Sequence, residues 1–328
     1  MMKLKVLLKI KKNQNTNIRK FKNTKVQKLN NDSIKLLDPK TLARADKLGL
    51  AARFIVEGYM AGEHKSPYRG FAIEFSQHRE YSPGDDVRHI DWKVLGKTDR
   101  YYIKQYEQET NFVAHILVDG SESMQYGSGD LTKLEYAKLA AACLAFTIIK
   151  QRDAVSLSLF GNSTREELPR GNTQNHLFNI LEKLVQFSPS GGTDLAGQLH
   201  SVASQSQRKG IVIVISDFFD DEDSTLEAVQ HLRFVGHEVI GLQILDHDEI
   251  TFPFNGLVEF EGLEEIPNLK TRPTEIRKSY LNEFNEFQEK LRDGFNKNSC
   301  HFVECDTSKP LEEVLGSYLT FRKETATK

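Results

Sequence analysis

Oxygen-bearing side chains gather in three places along this chain. An Asp-x-Ser-x-Ser motif follows one apolar segment, an aspartate follows a second, and between them a threonine lies in a Gly-Gly-Thr-Asp stretch. Two carboxylates and three hydroxyls, without His or Cys, suit a hard cation such as Mg²⁺, and this set does not distinguish Mg²⁺ from Mn²⁺ or Ca²⁺. The predicted metal ligands are Asp119, Ser121, Ser123, Thr193 and Asp217.

The elements before these residues must bring them together. Phe112–Val118 and Ile211–Ile215 are nearly unbroken apolar runs, typical of strands buried on both faces. Ligands collect at the carboxyl ends of such strands, so both carboxylates are expected at one edge of a parallel sheet.

Strand and helix patterns alternate from residue 111 onward, which predicts an α/β fold: a doubly wound, mostly parallel sheet with flanking helices. The other predicted strands are Ala154–Phe160, Glu238–Leu245 and His301–Glu304, and the predicted helices are Leu36–Met60, Leu134–Ile149, His176–Val185, Leu195–Ala203, Leu226–Phe234, Ile276–Phe295 and Leu311–Phe321.

A plainer interpretation of the same motif needs no metal. Asp119 and Ser121 would cap the following turn, and Ser216-Asp217 would open a loop, because Asp-x-Ser-x-Ser alone is a weak pattern. The metal site is the preferred interpretation because three separate segments supply ligands in the required order.

The ligand pattern resembles the metal-ion-dependent adhesion site (MIDAS) of von Willebrand factor A (VWA) domains, and all five positions match. The resemblance implies that Ser121, Ser123 and Thr193 contact the ion directly or nearly so. It implies that Asp119 and Asp217 act directly or through water.

The upstream segment, with Tyr81-x-Pro83-Gly84-Asp85-Asp86-x-Arg88-x-Ile90-Asp91-Trp92 directly before the VWA-like region, resembles the bacterial "domain of unknown function 58" (DUF58) family. The resemblance covers about residues 36 to 250. It implies an adaptor or assembly role beside a MoxR-type AAA+ ATPase. Many relatives carry transmembrane helices before this region, whereas here no apolar stretch reaches the roughly 20 residues that a bilayer requires.

The same motif has a structural interpretation from its residue types. Mixed charges around the only Trp favour a buried or half-buried salt-bridge cluster that holds a small module against the sheet; its members are Gly84, Asp85, Asp86, Arg88, Asp91 and Trp92. The alternative is an acid/base or second metal site that uses His64, His78 or His89 with Asp85 or Asp91.

Charge and composition divide the chain further. Residues 1–30 hold ten Lys or Arg and no acid, which leaves 34 basic against 46 acidic residues, a net charge of −12, in the rest. So acidic a body argues against nucleic-acid binding. The three cysteines show no metal-binding spacing and favour a reducing compartment. Because the sequence shows neither a transmembrane stretch nor a signal-peptide core, the expected location is cytoplasmic. The expected organisation is a basic, disordered tail (1–34), a helix with a small β module (35–110), and a VWA-like domain with a C-terminal extension (111–328).

The sequence thus favours a non-enzymatic, Mg²⁺-dependent protein that binds an acidic side chain of a partner. Neutral hydroxyl ligands leave the ion net positive charge that an incoming carboxylate can satisfy. The alternatives are a metal-dependent hydrolase and a metal-free structural scaffold.

Overall fold

The structure is a computed structural model, and it describes residues 10–12, 46–53, 55–56, 74–80, 92–98, 100–107, 113–161, 165–189, 191–205, 209–262, 269–311 and 316. The strands are β1 (Ile10–Lys12), β2 (Glu74–Glu80), β3 (Tyr102–Glu107), β4 (Val113–Asp119), β5 (Ala154–Phe160), β6 (Arg165–Gly171), β7 (Ile211–Ser216), β8 (Glu238–Leu245), β9 (Val258–Gly262), β10 (Leu269–Thr271) and β11 (His301–Asp306). The helices are α1 (Trp92–Thr98), α2 (Lys133–Lys150), α3 (Gln174–Gln186), α4 (Leu195–Gln205), α5 (Glu222–Phe234), α6 (His247–Thr251) and α7 (Pro273–Lys297), with a short 3₁₀ helix at Glu122–Gln125.

A six-stranded sheet in the order β11-β8-β7-β4-β5-β6 forms the centre of the fold. Neighbouring strands in this sheet run parallel, except that β5 and β6 pair antiparallel. The predicted α/β class with a mostly parallel sheet is therefore confirmed. β4 and β7 are neighbours, so their carboxyl ends lie side by side.

Both faces of this sheet are buried under helices. Alternate residues of β4 enter different cores: Ile116 and Val118 pack in the cluster that contains α2 and α3, whereas Leu117 packs in the cluster that contains α4, α5 and α7. Because each face is buried, consecutive residues of the central strands can be apolar, and this produces the nearly unbroken runs seen in the sequence.

The helix predicted over residues 36–60 is helical where it is described, at residues 46–53 and 55–56. Ala52 and Val56 are buried in the α2 and α3 cluster, so this segment packs on the sheet domain. The helix predicted at Leu311–Phe321 falls almost wholly outside the described residues.

Two β structures were not anticipated in this form. β6 adds an antiparallel edge strand, and β9 pairs antiparallel with both β10 and β1 in a separate three-stranded sheet. Thus three residues of the basic N-terminal segment form a strand, and the rest of that segment lies outside the described residues.

β2 and β3 pair antiparallel within the region predicted to hold a small β module. In the part of the chain that the structure describes, none of the helices is long and apolar enough to cross a membrane.

Candidate metal-binding site at the carboxyl edge of the sheet

Asp119 ends β4 and is completely buried. Its Oδ1 accepts a hydrogen bond from the backbone N–H of Ser121 at 2.8 Å, and its Oδ2 accepts one from the Ser216 hydroxyl at 2.6 Å. The hydroxyls of Ser121 and Ser123 lie 2.9 Å apart, and both residues are buried. The Asp-x-Ser-x-Ser motif therefore folds into one compact turn, in which the side-chain oxygen atoms lie close together.

Gly120 is required by the close packing of this turn. A Cβ at Gly120 would collide with the ring of Phe187 and would approach the backbone oxygen of Phe160 at 3.3 Å. The Gly120 N–H also donates to that same oxygen at 2.7 Å, which fixes the turn to the end of β5.

Asp217 follows β7 and is also completely buried. Its Oδ1 accepts from the Phe219 N–H at 3.1 Å, and its backbone oxygen accepts from the Gln243 side chain at 3.0 Å. Phe218 adopts a left-handed backbone with φ of 60°, which turns the chain sharply after the strand. The Ser216 hydroxyl joins the ends of β7 and β4 through Asp119 and was not singled out from the sequence.

The loop that carries Thr193 is attached to both strand ends. The Gly191 carbonyl accepts from the Glu122 N–H at 2.8 Å, and the Leu195 N–H donates to the Asp220 carboxylate at 3.1 Å. The Thr193 hydroxyl is buried and has no hydrogen-bond partner among the described residues. A buried hydroxyl without a partner is costly, and a ligand at this position would satisfy it.

The electrostatics of the two aspartates fit a site for a cation. Burial and then the negative charge of Asp217 raise the pKa of Asp119 above its ordinary range. Burial acts on Asp217 in the same direction, but the charge of Lys133 and the hydrogen bonds from Lys133, Phe219 and Ser123 together outweigh it and lower the pKa of that carboxyl. In the described part of the chain, no group of three or more His, Cys, Asp or Glu side chains could hold a metal, so a site here depends on the hydroxyls.

Lys133 is a member of this site that the sequence analysis missed. Its side chain is completely buried, and its Nζ donates to Asp217 Oδ2 at 2.8 Å and to Glu249 Oε1 at 2.7 Å. Burial lowers the pKa of Lys133, but these two carboxylates outweigh it and raise the pKa above its ordinary value.

The sequence carried a signal for Lys133. The residue is the first of α2, directly after the capping residue Thr132, where the helix dipole disfavours a positive charge. A lysine in that position is explained by acidic partners from elsewhere in the fold. One of them, Glu249, belongs to α6 and accepts the Asp246 N–H at 2.8 Å as part of a capping box.

The upstream motif is described only at its last residue. Trp92 begins α1 and is 65% exposed, which does not fit burial of the predicted salt-bridge cluster at this residue. The other members, Gly84, Asp85, Asp86, Arg88 and Asp91, lie outside the described residues, as do the His64 and His89 of the alternative site.

Among known proteins, relatives occur in mycobacteria. An uncharacterized protein of Mycobacterium tuberculosis (strain H37Rv) and one of Mycobacterium bovis are each 26% identical to this chain over 232 residues. The aligned region is 69% of this chain and 72% of each relative.

Two solved structures are similar at lower identity. The conserved hypothetical protein BatB from Bacteroides thetaiotaomicron has 19% identity and a TM-score of 0.46, over 65% of this chain and 99% of BatB. The SpRpn10 VWA domain has 14% identity and a TM-score of 0.40, over 62% of this chain and 93% of that domain.

The family described as "Protein of unknown function DUF58" matches residues 77–290 of the sequence. This match spans well over half of the chain, and the five predicted metal ligands lie within it. The chain therefore belongs to the DUF58 family, as its motifs predicted.

Proposed function

We propose that this chain is a non-enzymatic, VWA-like protein-binding protein that takes up Mg²⁺ through Asp119, Ser121, Ser123, Thr193 and Asp217. Mn²⁺ and Ca²⁺ are possible replacements for Mg²⁺. The partner presents an acidic side chain to this site. A MoxR-type AAA+ ATPase is the partner class we propose, since the DUF58-like motifs imply one.

One observation carries the proposal. Two fully buried carboxylates lie at the ends of adjacent strands, near the buried hydroxyls of Ser121 and Ser123. A loop that is hydrogen-bonded to the turns after both strands carries the unpartnered hydroxyl of Thr193. Oxygen ligands of this kind suit Mg²⁺, which takes octahedral coordination and keeps some water.

The residues divide the work of binding. Asp119 and Asp217 supply the negative charge, and their hydrogen bonds to Ser216 and Phe219 hold the carboxylates in fixed orientations. The hydroxyls add ligands without adding charge. When bound, the ion supplies a positive centre to which a partner carboxylate can coordinate.

The test is capture of partners from native lysate by the full chain, in Mg²⁺ and in EDTA. The variants are Asp119→Asn and, as a matched control, Asp306→Asn, because Asp306 also ends a parallel strand but belongs to β11. We expect one set of partners with the wild type and with Asp306→Asn in Mg²⁺ alone, and its loss with Asp119→Asn. Partners that persist in EDTA and with Asp119→Asn would favour the scaffold alternative.

A further inference from the structure

Lys133 is in direct contact with Asp217, one of the proposed metal ligands. Its Nζ is 2.8 Å from Asp217 Oδ2 and 2.7 Å from Glu249 Oε1, and it lies 4.8 Å from the ring centroid of Phe219. Among the described residues, Lys133 is the only Lys or Arg whose side chain is buried. Its ammonium group therefore has fixed partners and no contact with solvent.

A metal ion at this site would have to use carboxylate oxygens of Asp217 that already accept hydrogen bonds. Asp217 Oδ1 already accepts the Phe219 N–H, and Oδ2 accepts the Lys133 ammonium. A divalent ion that uses Asp217 must share one of these oxygens with a donor that is already in place. The ion must also approach a like charge in a buried setting, where solvent screens little.

Lys133 also stabilises the protein when no metal is bound. Without it, the carboxylates of Asp217 and Glu249 would be buried with no cation near them whenever the site holds no metal. Unpaired buried charges are strongly destabilising. Lys133 thus lets the sheet edge fold before an ion arrives, and it leaves part of the negative charge of Asp119, Asp217 and Glu249 for a divalent ion.

We propose that Lys133 is an internal counter-ion of this site, which offsets part of the negative charge of Asp217 and Glu249 in the metal-free protein and weakens divalent-ion binding through its bond to Asp217. This inference rests on the proposed Mg²⁺ site and adds a residue that sets its affinity. Lys133 acts on the ion through Asp217 and is a positioning residue.

The decisive variant removes Lys133 together with one of its two carboxylate partners, so the net charge stays the same. Lys133→Met alone leaves two unpaired buried carboxylates and is expected to impair folding, so the test uses Lys133→Met with Glu249→Gln. In this double variant Asp217 is the only carboxylate that loses its cation, one fewer than in Lys133→Met alone, so the cost to folding is expected to be smaller. The matched control is Lys183→Met with Glu166→Gln, which removes an ion pair of 2.7 Å between α3 and β6, away from the predicted ligands.

Calorimetric titration of Mg²⁺ into the wild type, the Lys133/Glu249 double variant and the Lys183/Glu166 control measures the affinity of each protein for Mg²⁺. We expect the Lys133/Glu249 double variant to bind Mg²⁺ at least about tenfold more tightly than the wild type, and the control to match the wild type. An affinity equal to or below that of the wild type overturns the role of Lys133 but leaves the proposed function standing. If neither the wild type nor the double variant binds Mg²⁺, the metal-dependent function itself is wrong, and the inference fails with it.

Discussion

At the scale of single residues, hydrogen bonds link three of the predicted metal ligands to one another and to Ser216, the neighbour of a fourth. Asp119 hydrogen-bonds the Ser121 N–H and the Ser216 hydroxyl, and Ser121 contacts Ser123. Asp119, Ser121 and Ser123 were predictable because their types and their positions after an apolar strand are both visible in the sequence, whereas the role of Ser216 was not predicted.

Lys133 and Glu249 were not predicted, for a physical reason. Their relation to Asp217 arises from the packing of α2 and α6 beside β7, across separations of 84 residues from Lys133 to Asp217 and 116 from Lys133 to Glu249. Spacing along the chain does not encode such contacts. The position of Lys133 at the start of a helix marks it as unusual but does not identify its partners, because an exposed glutamate would give the same local pattern as Glu249.

Thr193 allows a test of a single ligand. Its hydroxyl is buried without a partner, so Thr193→Val removes an oxygen and keeps the shape. We expect Mg²⁺ affinity to fall by about tenfold or more, ~1.4 kcal/mol. Folding stability should change by less than about 1 kcal/mol, because no hydrogen bond of the protein is lost. Calorimetry and urea unfolding measure the two quantities.

Thr225→Val is the matched control. Thr225 is likewise buried with an unpartnered hydroxyl, but it lies in α5. The Thr225→Val variant should bind Mg²⁺ with the affinity of the wild type. Equal affinity losses in both variants, or none in Thr193→Val, would remove Thr193 from the ligand set.

At the scale of elements, the central strands and helices could be predicted because burial on both faces gives them long apolar runs. The predicted strands Ala154–Phe160 and Glu238–Leu245 have the observed bounds. β6 escaped prediction because its sequence, Arg-Glu-Glu-Leu-Pro-Arg-Gly, belongs to a sheet edge and has no apolar run. β1 and β9 escaped because they pair across about 250 residues of chain.

The approach of β4 to β7 gives a prediction about the frame of the site. A Cβ at Gly210, directly before β7, would collide with the backbone oxygen of Val113, the first residue of β4. Backbone atoms in a paired strand cannot move aside easily. We expect Gly210→Ala to lower the free energy of unfolding by about 1–3 kcal/mol, the range for overpacking.

Urea unfolding of Gly210→Ala and of the control Gly129→Ala measures this effect. A Cβ at Gly129 would meet no atom within 4 Å, so this variant should stay within about 0.5 kcal/mol of the wild type. Equal stability of the two variants would mean that the strands are not packed as closely as described.

At the scale of the whole molecule, charge is distributed unevenly along the chain. The body from residue 31 onward carries a net charge of −12, and ten basic residues precede it. Part of that basic segment pairs with β9, where Lys11 lies opposite Glu261 in the strand register. The basic segment is thus joined to the acidic body at one strand.

The proposed metal edge belongs to this same body. Its three carboxylates, Asp119, Asp217 and Glu249, are buried with a single lysine, so the fold holds more negative than positive charge at this edge. A bound divalent cation would offset the excess and stabilise the folded state relative to the unfolded chain, which lacks the assembled site.

The central claim is that this edge binds a divalent cation through Asp119. Calorimetric titration of Mg²⁺ into the full-length wild type, Asp119→Asn and Asp306→Asn tests it most directly. The account predicts one saturable site in the wild type and in Asp306→Asn, and an affinity at least about tenfold weaker in Asp119→Asn. No saturable binding to the wild type, or equal binding by all three proteins, would contradict it.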